Sequence, residues 1–201
     1  MARTGAWDVG GASTPVIAAL ELSPTLTTEL KPLFAVFAPL NAQIAVADAR
    51  IAAFAKADPI ATRLTTTPGV GPVTASAFVA TIDDITRFRT AHEIEAYLGL
   101  VPSERSSGEK RQLGHITKAG NERMRWLLVE AAWQILRSKS PQTAALRTWT
   151  LTIARRRGKR IAAVALSRRL AGVLYAMWRD GVAYDAQQLR PRANIEYPRA
   201  G

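Results

Sequence analysis

Residues 64–82 read LTTTPGVGPVTASAFVATI, and they decide the fold. Pro68-Gly69-Val70-Gly71-Pro72 packs two prolines and two glycines into five positions. Regular structure is excluded there, because proline lacks a donor and glycine carries the highest entropy cost. A short helix before this turn and a clear helix from Val73 to Thr81 make a helix–hairpin–helix. Gly69 and Gly71 have no Cβ to block approach and present backbone N–H groups at a helix start, where an anion is favoured. Val70 would pack back into the domain, and Ala75 permits close helix contact. Such a hairpin reads a DNA backbone without reading sequence. The alternatives are a plain helix-connecting turn and a protein contact.

Upstream, residues 25–57 carry apolar side chains at Leu26, Leu30, Leu33, Phe37, Leu40, Ile44, Ala47, Ile51 and Phe54. Steps of three and four predict a long amphipathic or coiled-coil helix. Pro32 is placed near a helix start, and Pro39 predicts a kink or break. The stripe either pairs with a second copy or packs on its own domain. Asp58-Pro59 closes this helix. Residues 1–24 read as a flexible arm and 186–201 as a flexible tail, leaving 25–58 as the long helix region and 59–185 as the main domain.

Downstream, Thr90 and Glu93 form a capping-box signature for a helix ending at Gly99. Residues 100–118 are polar and basic, a long loop or small hairpin. Asn121 to Ser138 is helical, with Met124, Leu127, Leu128, Ala131, Ala132, Ile135 and Leu136 on one broad face. Pro141 opens a helix to about Arg155, and a basic turn spans Arg155 to Arg160. The last helix, Ile161 to Arg179, directs Ile161, Val164, Ala165, Ala171, Leu174 and Trp178 to the core, and Gly181 caps it. The fold class is mostly α, a compact helical domain preceded by a coiled-coil-like helix.

Charge divides the chain of 201 residues. Residues 1–100 hold 7 Lys/Arg against 9 Asp/Glu, whereas residues 101–201 hold 20 against 7. So basic a half attracts polyanions, of which nucleic acid is the usual one; an anionic membrane and a merely solvated surface are the competing explanations. The absence of cysteine excludes disulfides, thiolate zinc sites and cysteine nucleophiles. No continuous apolar run approaches the ~20 residues of a membrane span, and residues 1–20 lack a signal-peptide pattern. A soluble, cytoplasmic protein with no membrane contact is expected.

Chemistry is offered by SERSSGEKRQLGHITKAGN, residues 103–121, where Ser106, Ser107 and Gly108 lie between Arg105 and Lys110-Arg111. A serine hydroxyl needs a proton acceptor or a highly polarised phosphate to act as a nucleophile. Neighbouring cations supply that polarisation. His115 is an acid or base without an assigned acidic partner, so a protease-type triad is unsupported. A solvated Ser/Gly loop is the plain alternative. Further cations that would hold DNA are Lys118, Arg123, Arg125, Lys159, Arg160, Arg168 and Arg169, with solvated helix surface as the alternative. Trp126, Trp133, Trp149 and Trp178 read as core rather than stacking platforms. No metal site is expected.

PGVGPVTA (68–75), AYLGLVPSERSSGEKRQLGHITKAGNERMRWLLVEAAW (96–133) and KRIAAVALSRRLAGVLYAMWRDGVAYD (159–185) occur in that order. Together they resemble the C-terminal domain of the one-ten family of bacterial insertion-sequence transposases, the serine recombinases guided by a bridge RNA. The resemblance covers about residues 25–185. It implies a serine-bearing helical domain preceded by a coiled coil and, further upstream, an RNase-H-like domain with four metal-binding acids. It implies that Ser107, the serine before glycine, attacks a DNA phosphodiester, with Ser106 the fallback. It implies DNA as partner, a guide RNA as another, and a homo-oligomer through residues 25–57.

The expected function is therefore a DNA-binding, serine-nucleophile domain acting in transposition, truncated and lacking the N-terminal domain. No cofactor is expected in this chain, and Mg²⁺ only with the missing domain. The rival is a non-catalytic DNA- or RNA-binding or dimerisation protein that regulates or competes with intact transposase.

Overall fold

A computed structural model describes residues 23–107 and 110–187, without the side chains of residues 27, 34, 38 and 104–113. The expected arm and tail lie outside the described residues but for positions 23–24 and 186–187. The chain divides into two units, Met1–Ala53 and Phe54–Gly201.

Helix α1 spans Pro24–Ala57. It runs through Pro32 and Pro39, so the break expected at Pro39 does not occur. Each proline frees the carbonyl four residues earlier, at Thr28 and Ala35. Both residues are exposed, so water can satisfy those carbonyls and the helix tolerates the missing bonds. Leu26, Leu33, Val36, Leu40 and Ile44 of α1 are exposed.

In the second unit, Asp58 follows the end of α1, and its carboxylate accepts from the N–H of Ile60 at 2.7 Å and of Ala61 at 3.3 Å. This caps α2 (Pro59–Leu64) with proline at its first position. After the PGVG turn comes α3 (Pro72–Ile82), then a 3-10 turn at Ile85–Arg87, then α4 (Ala91–Tyr97). Thr90 Oγ accepts from Glu93 N–H at 3.3 Å, and the Glu93 carboxylate reaches back to Arg89 N–H at 2.8 Å. Residues 100–118 resolve as a hairpin, β1 (Pro102–Ser107) antiparallel to β2 (Lys110–Ile116). Three helices follow: α5 (Glu122–Arg137), α6 (Ala144–Arg157) and α7 (Lys159–Asp180).

Helix α7 is the spine. Leu166, Leu170, Ala171, Leu174, Tyr175 and Met177 are buried along it, against Phe78 and Ile82 of α3, Ile94 of α4, Leu128, Ala132 and Ile135 of α5 and Leu146 of α6. Burying each Leu- or Phe-sized side chain contributes roughly 1.5–3 kcal/mol. Ile161, expected in the core, is 53% exposed. The buried stripe runs instead through Ala162, Ala163 and Leu166, one residue out of phase. Tyr175 OH donates to Phe88 O at 3.0 Å, and Tyr184 OH to Gln142 O at 3.2 Å. Gly181, in the left-handed region at φ 69°, ends the helix as expected.

Two helices, α1 and α7, have the length and apolar composition of a membrane span, although neither is a continuous apolar run. Half of the apolar window of α7 is buried in the domain, as befits a core helix.

Candidate nucleic-acid interface

The PGVG turn is closed by Val70 N–H donating to Thr67 O at 3.0 Å. Gly69 sits at φ 79°, and a Cβ there would lie 2.7 Å from Ala131 O of α5. Glycine is thus required for the turn to lie against α5 as well as for its backbone angle. Val70 is 4% exposed and anchors the turn in the core. Gly71 faces the other way: it is exposed, nothing lies within 4 Å of its Cβ position, and it stands at the N-cap of α3 without a side-chain cap. No acidic residue occupies the first turn of α3, so its positive end is open.

The hairpin grows from a tightly crossed base. Gly99 (φ 69°) and Gly120 (φ 95°) let residues 97–99 cross residues 119–120 so closely that a Cβ on Gly99 would collide with Ala119 O, and one on Gly120 with Tyr97 O. Thr117 N–H donates to Val101 O at 2.9 Å, and Lys118 N–H to Gly99 O at 3.1 Å. Arg125 Nη1 donates to the carbonyls of Leu98, Ala119 and Gly120 at 3.4, 3.3 and 3.0 Å. Arg125, expected on DNA, thus directs its Nη1 to the hairpin base. Within the hairpin the register is irregular between Pro102 and Glu104, and Ser103 Oγ donates to His115 O at 2.9 Å. The ladder sets Ser107 opposite Lys110, Ser106 opposite Arg111 and Arg105 opposite Gln112. The side chains of Arg105, Ser106, Ser107, Lys110 and Arg111 lie outside the described ones.

The remaining expected cations separate into two groups. Lys118, Arg123, Lys159 and Arg160 are exposed and use none of the described ion pairs, although Arg123 lies over an aromatic ring of its own helix. Lys159 and Arg160 share with Arg155, Arg156 and Arg157 a corner between α6 and α7, where Gly158 turns the chain at φ 85°. Arg168 and Arg169 are engaged within the domain. Arg168 Nε donates to Glu95 Oε2 at 2.6 Å. The Arg169 guanidinium lies 4.7 Å from the Trp149 ring centroid, and burial pushes it below its ordinary value. Burial likewise raises the Tyr184 phenol.

Trp126, expected in the core, is 50% exposed with the Arg123 guanidinium 4.6 Å from its ring centroid. The sequence signal for this is its position opposite the buried stripe of α5. Trp133 is half-buried, and Trp149 and Trp178 pack against the core. Among the described residues, no group of three His, Asp or Glu is placed to hold a metal ion.

These features define a cationic, mostly helical domain interrupted by one two-stranded hairpin. Residues 61–147 match the Transposase IS116/IS110/IS902 family model, which spans the turn, the hairpin and α5. The chain is 36% identical over 138 residues to a probable family 20 transposase of Pseudomonas aeruginosa, covering 69% of this chain and 41% of that protein. It is 33% identical over 166 residues to the transposase for insertion sequence element IS1111A of Coxiella burnetii, covering 81% and 46%. It is 34% identical over 142 residues to an IS110 insertion-element protein of Streptomyces coelicolor, covering 70% and 34%. The chain spans less than half the length of these relatives. It belongs to the IS110 family of insertion-sequence transposases, whose C-terminal domain it carries.

Proposed function

We propose that this domain binds DNA and supplies the serine nucleophile of a transposition reaction. The observation that carries the proposal is the hairpin register, with Arg111 opposite Ser106 and Lys110 opposite Ser107, inside the span that matches the transposase family. In the step, Ser107 Oγ bonds to a DNA phosphorus and the bond from phosphorus to one deoxyribose oxygen breaks. That oxygen leaves as a hydroxyl, and the serine proton passes to solvent or to a base. The phosphoserine conserves the bond energy, so a second hydroxyl can reverse the exchange. Arg105, Lys110 and Arg111 hold the phosphate and offset its growing charge. Ser106 is the fallback nucleophile.

Around this centre, Gly69, Val70 and Gly71 form a backbone-reading helix–hairpin–helix, with Gly71 and the open end of α3 facing a phosphate. Lys118, Arg123, Lys159 and Arg160 add phosphate contacts, and a guide RNA is a further partner. The exposed heptad stripe of α1 supports self-association through residues 25–57.

The test is a covalent-adduct assay on labelled DNA, with the chain alone and mixed with the N-terminal portion of a matched full-length relative. Wild type should leave protein-linked DNA on a denaturing gel, Ser106→Ala should retain it, and Ser107→Ala should abolish it. Undiminished adduct in Ser107→Ala would remove that residue from the mechanism. Salt-dependent binding without any adduct would leave the non-catalytic reading, a DNA- or RNA-binding regulator.

A further inference from the structure

The face of α5 opposite its buried stripe carries Arg123, Trp126, Glu130, Trp133 and Arg137, at steps of three and four; Arg123, Trp126 and Arg137 are exposed, and Glu130 and Trp133 are half-buried. One stripe of a helix is therefore Arg-Trp-Glu-Trp-Arg, and the residues opposite it are the buried Met124, Leu127, Leu128, Ala131, Ala132 and Ile135. Trp126 is 50% exposed although apolar residues of its size usually find cover. The Arg123 guanidinium, 4.6 Å from the Trp126 centroid, extends the aromatic surface and keeps its charge. Trp133 lies two turns further on, about 10 Å along the axis.

We infer that this stripe is a stacking site for the unpaired bases of a single-stranded nucleic acid, with exposed Trp126 taking a base, half-buried Trp133 flanking it, and Arg123 and Arg137 taking the neighbouring phosphates. Charge decides between this occupant and a partner helix. Neither Arg123 nor Arg137 makes an ion pair among the described residues. An apolar partner would desolvate both guanidinia without compensation, whereas a polyanion neutralises them. A base in a duplex is closed within its stack, so an exposed indole selects unpaired nucleotides. Glu130, between the indoles, accepts from the exocyclic amino group of a base. The inference goes beyond the serine hairpin and does not need its chemistry.

The experiment titrates the full chain into labelled oligodeoxycytidylate, oligocytidylate and a duplex of equal length, followed by fluorescence anisotropy. Trp126→Ala should weaken single-strand binding about 5- to 100-fold, the range of base–aromatic stacking. Trp126→Phe should retain most of the affinity, and duplex binding and the unfolding midpoint should not move. The arm with the larger loss identifies DNA or RNA as the strand. Equal single-strand affinity of Trp126→Ala and wild type overturns the inference, as does a change in molar mass by light scattering in place of a change in affinity.

Discussion

Arg168 Nε lies 2.6 Å from Glu95 Oε2 and joins α7 to α4 across 73 positions of sequence. The same guanidinium approaches His92 Nδ1 at 3.3 Å, and the Glu95 side chain is only 14% exposed. A carboxylate so covered needs its cation. Arg168→Ala should therefore lower stability by about 1–2 kcal/mol, a figure reduced for the third of the Arg168 side chain that water reaches. Urea unfolding measures it, and the salt dependence of DNA binding should keep its slope. A reduced slope with an unmoved urea midpoint would instead assign Arg168 to a phosphate.

The corner between α6 and α7 should behave in the opposite way. Lys159 and Arg160 are exposed, and none of the described ion pairs uses them. Removing both with Lys159→Ala and Arg160→Ala should flatten the slope of log affinity against log salt by about one for each phosphate that they neutralise. The unfolding midpoint should stay within about 0.5 kcal/mol of wild type. An unchanged slope would reduce the corner to solvated surface.

Asp84 provides a pH signature. Its carboxylate accepts from Thr86 N–H and Thr86 Oγ–H, both at 2.8 Å. The backbone donor, then the hydroxyl, hold its pKa below the ordinary value. A depressed folded-state pKa means that the contribution is present above the unfolded pKa and is lost as pH falls through the folded one. Carboxyl carbon NMR should place the Asp84 midpoint below the usual carboxylate range, and Thr86→Ala should move it upward. A midpoint unaffected by Thr86→Ala would remove the hydroxyl as a cause and leave the backbone donor alone.

Local signals are legible in the sequence. Thr90 caps a helix as its capping box announces, Gly181 ends one, and the α5 core stripe falls where its period places it. Long-range partners are not legible. Nothing near Arg168 announces Glu95, and nothing near Arg169 announces Trp149, so two cations engaged within the domain read as DNA contacts. Ile161 misleads because Ala162 and Ala163 are small: a periodic count weights the larger residue, whereas helix packing here buries the alanines. At the hairpin, a Ser/Gly/Arg-rich composition does not distinguish a loop from paired strands. The crossed glycines that define its base are 21 residues apart in sequence and meet only in the fold.

That base supports the last prediction. Gly99→Ala or Gly120→Ala would add a Cβ at positive φ and drive it into a backbone carbonyl that cannot swing aside. Strained backbone alone costs of order 1–3 kcal/mol, so each substitution should cost at least about 2 kcal/mol. Arg125→Ala acts differently, since it removes one donor group from three carbonyls without adding bulk. Its cost should be about 1–3 kcal/mol, and Arg125→Lys should recover only part, because an ammonium lacks the planar fork. Hydrogen exchange localises the effect: the amides of Thr117 and Lys118, which bond to Val101 and Gly99, should lose protection in Arg125→Ala while those of α7 keep theirs. Equal loss of protection in both would mean that Arg125 supports the whole domain rather than the seat of the hairpin. If Arg125 instead acted through phosphate, Arg125→Ala would leave exchange at Thr117 and Lys118 unchanged and lower only the salt slope of binding.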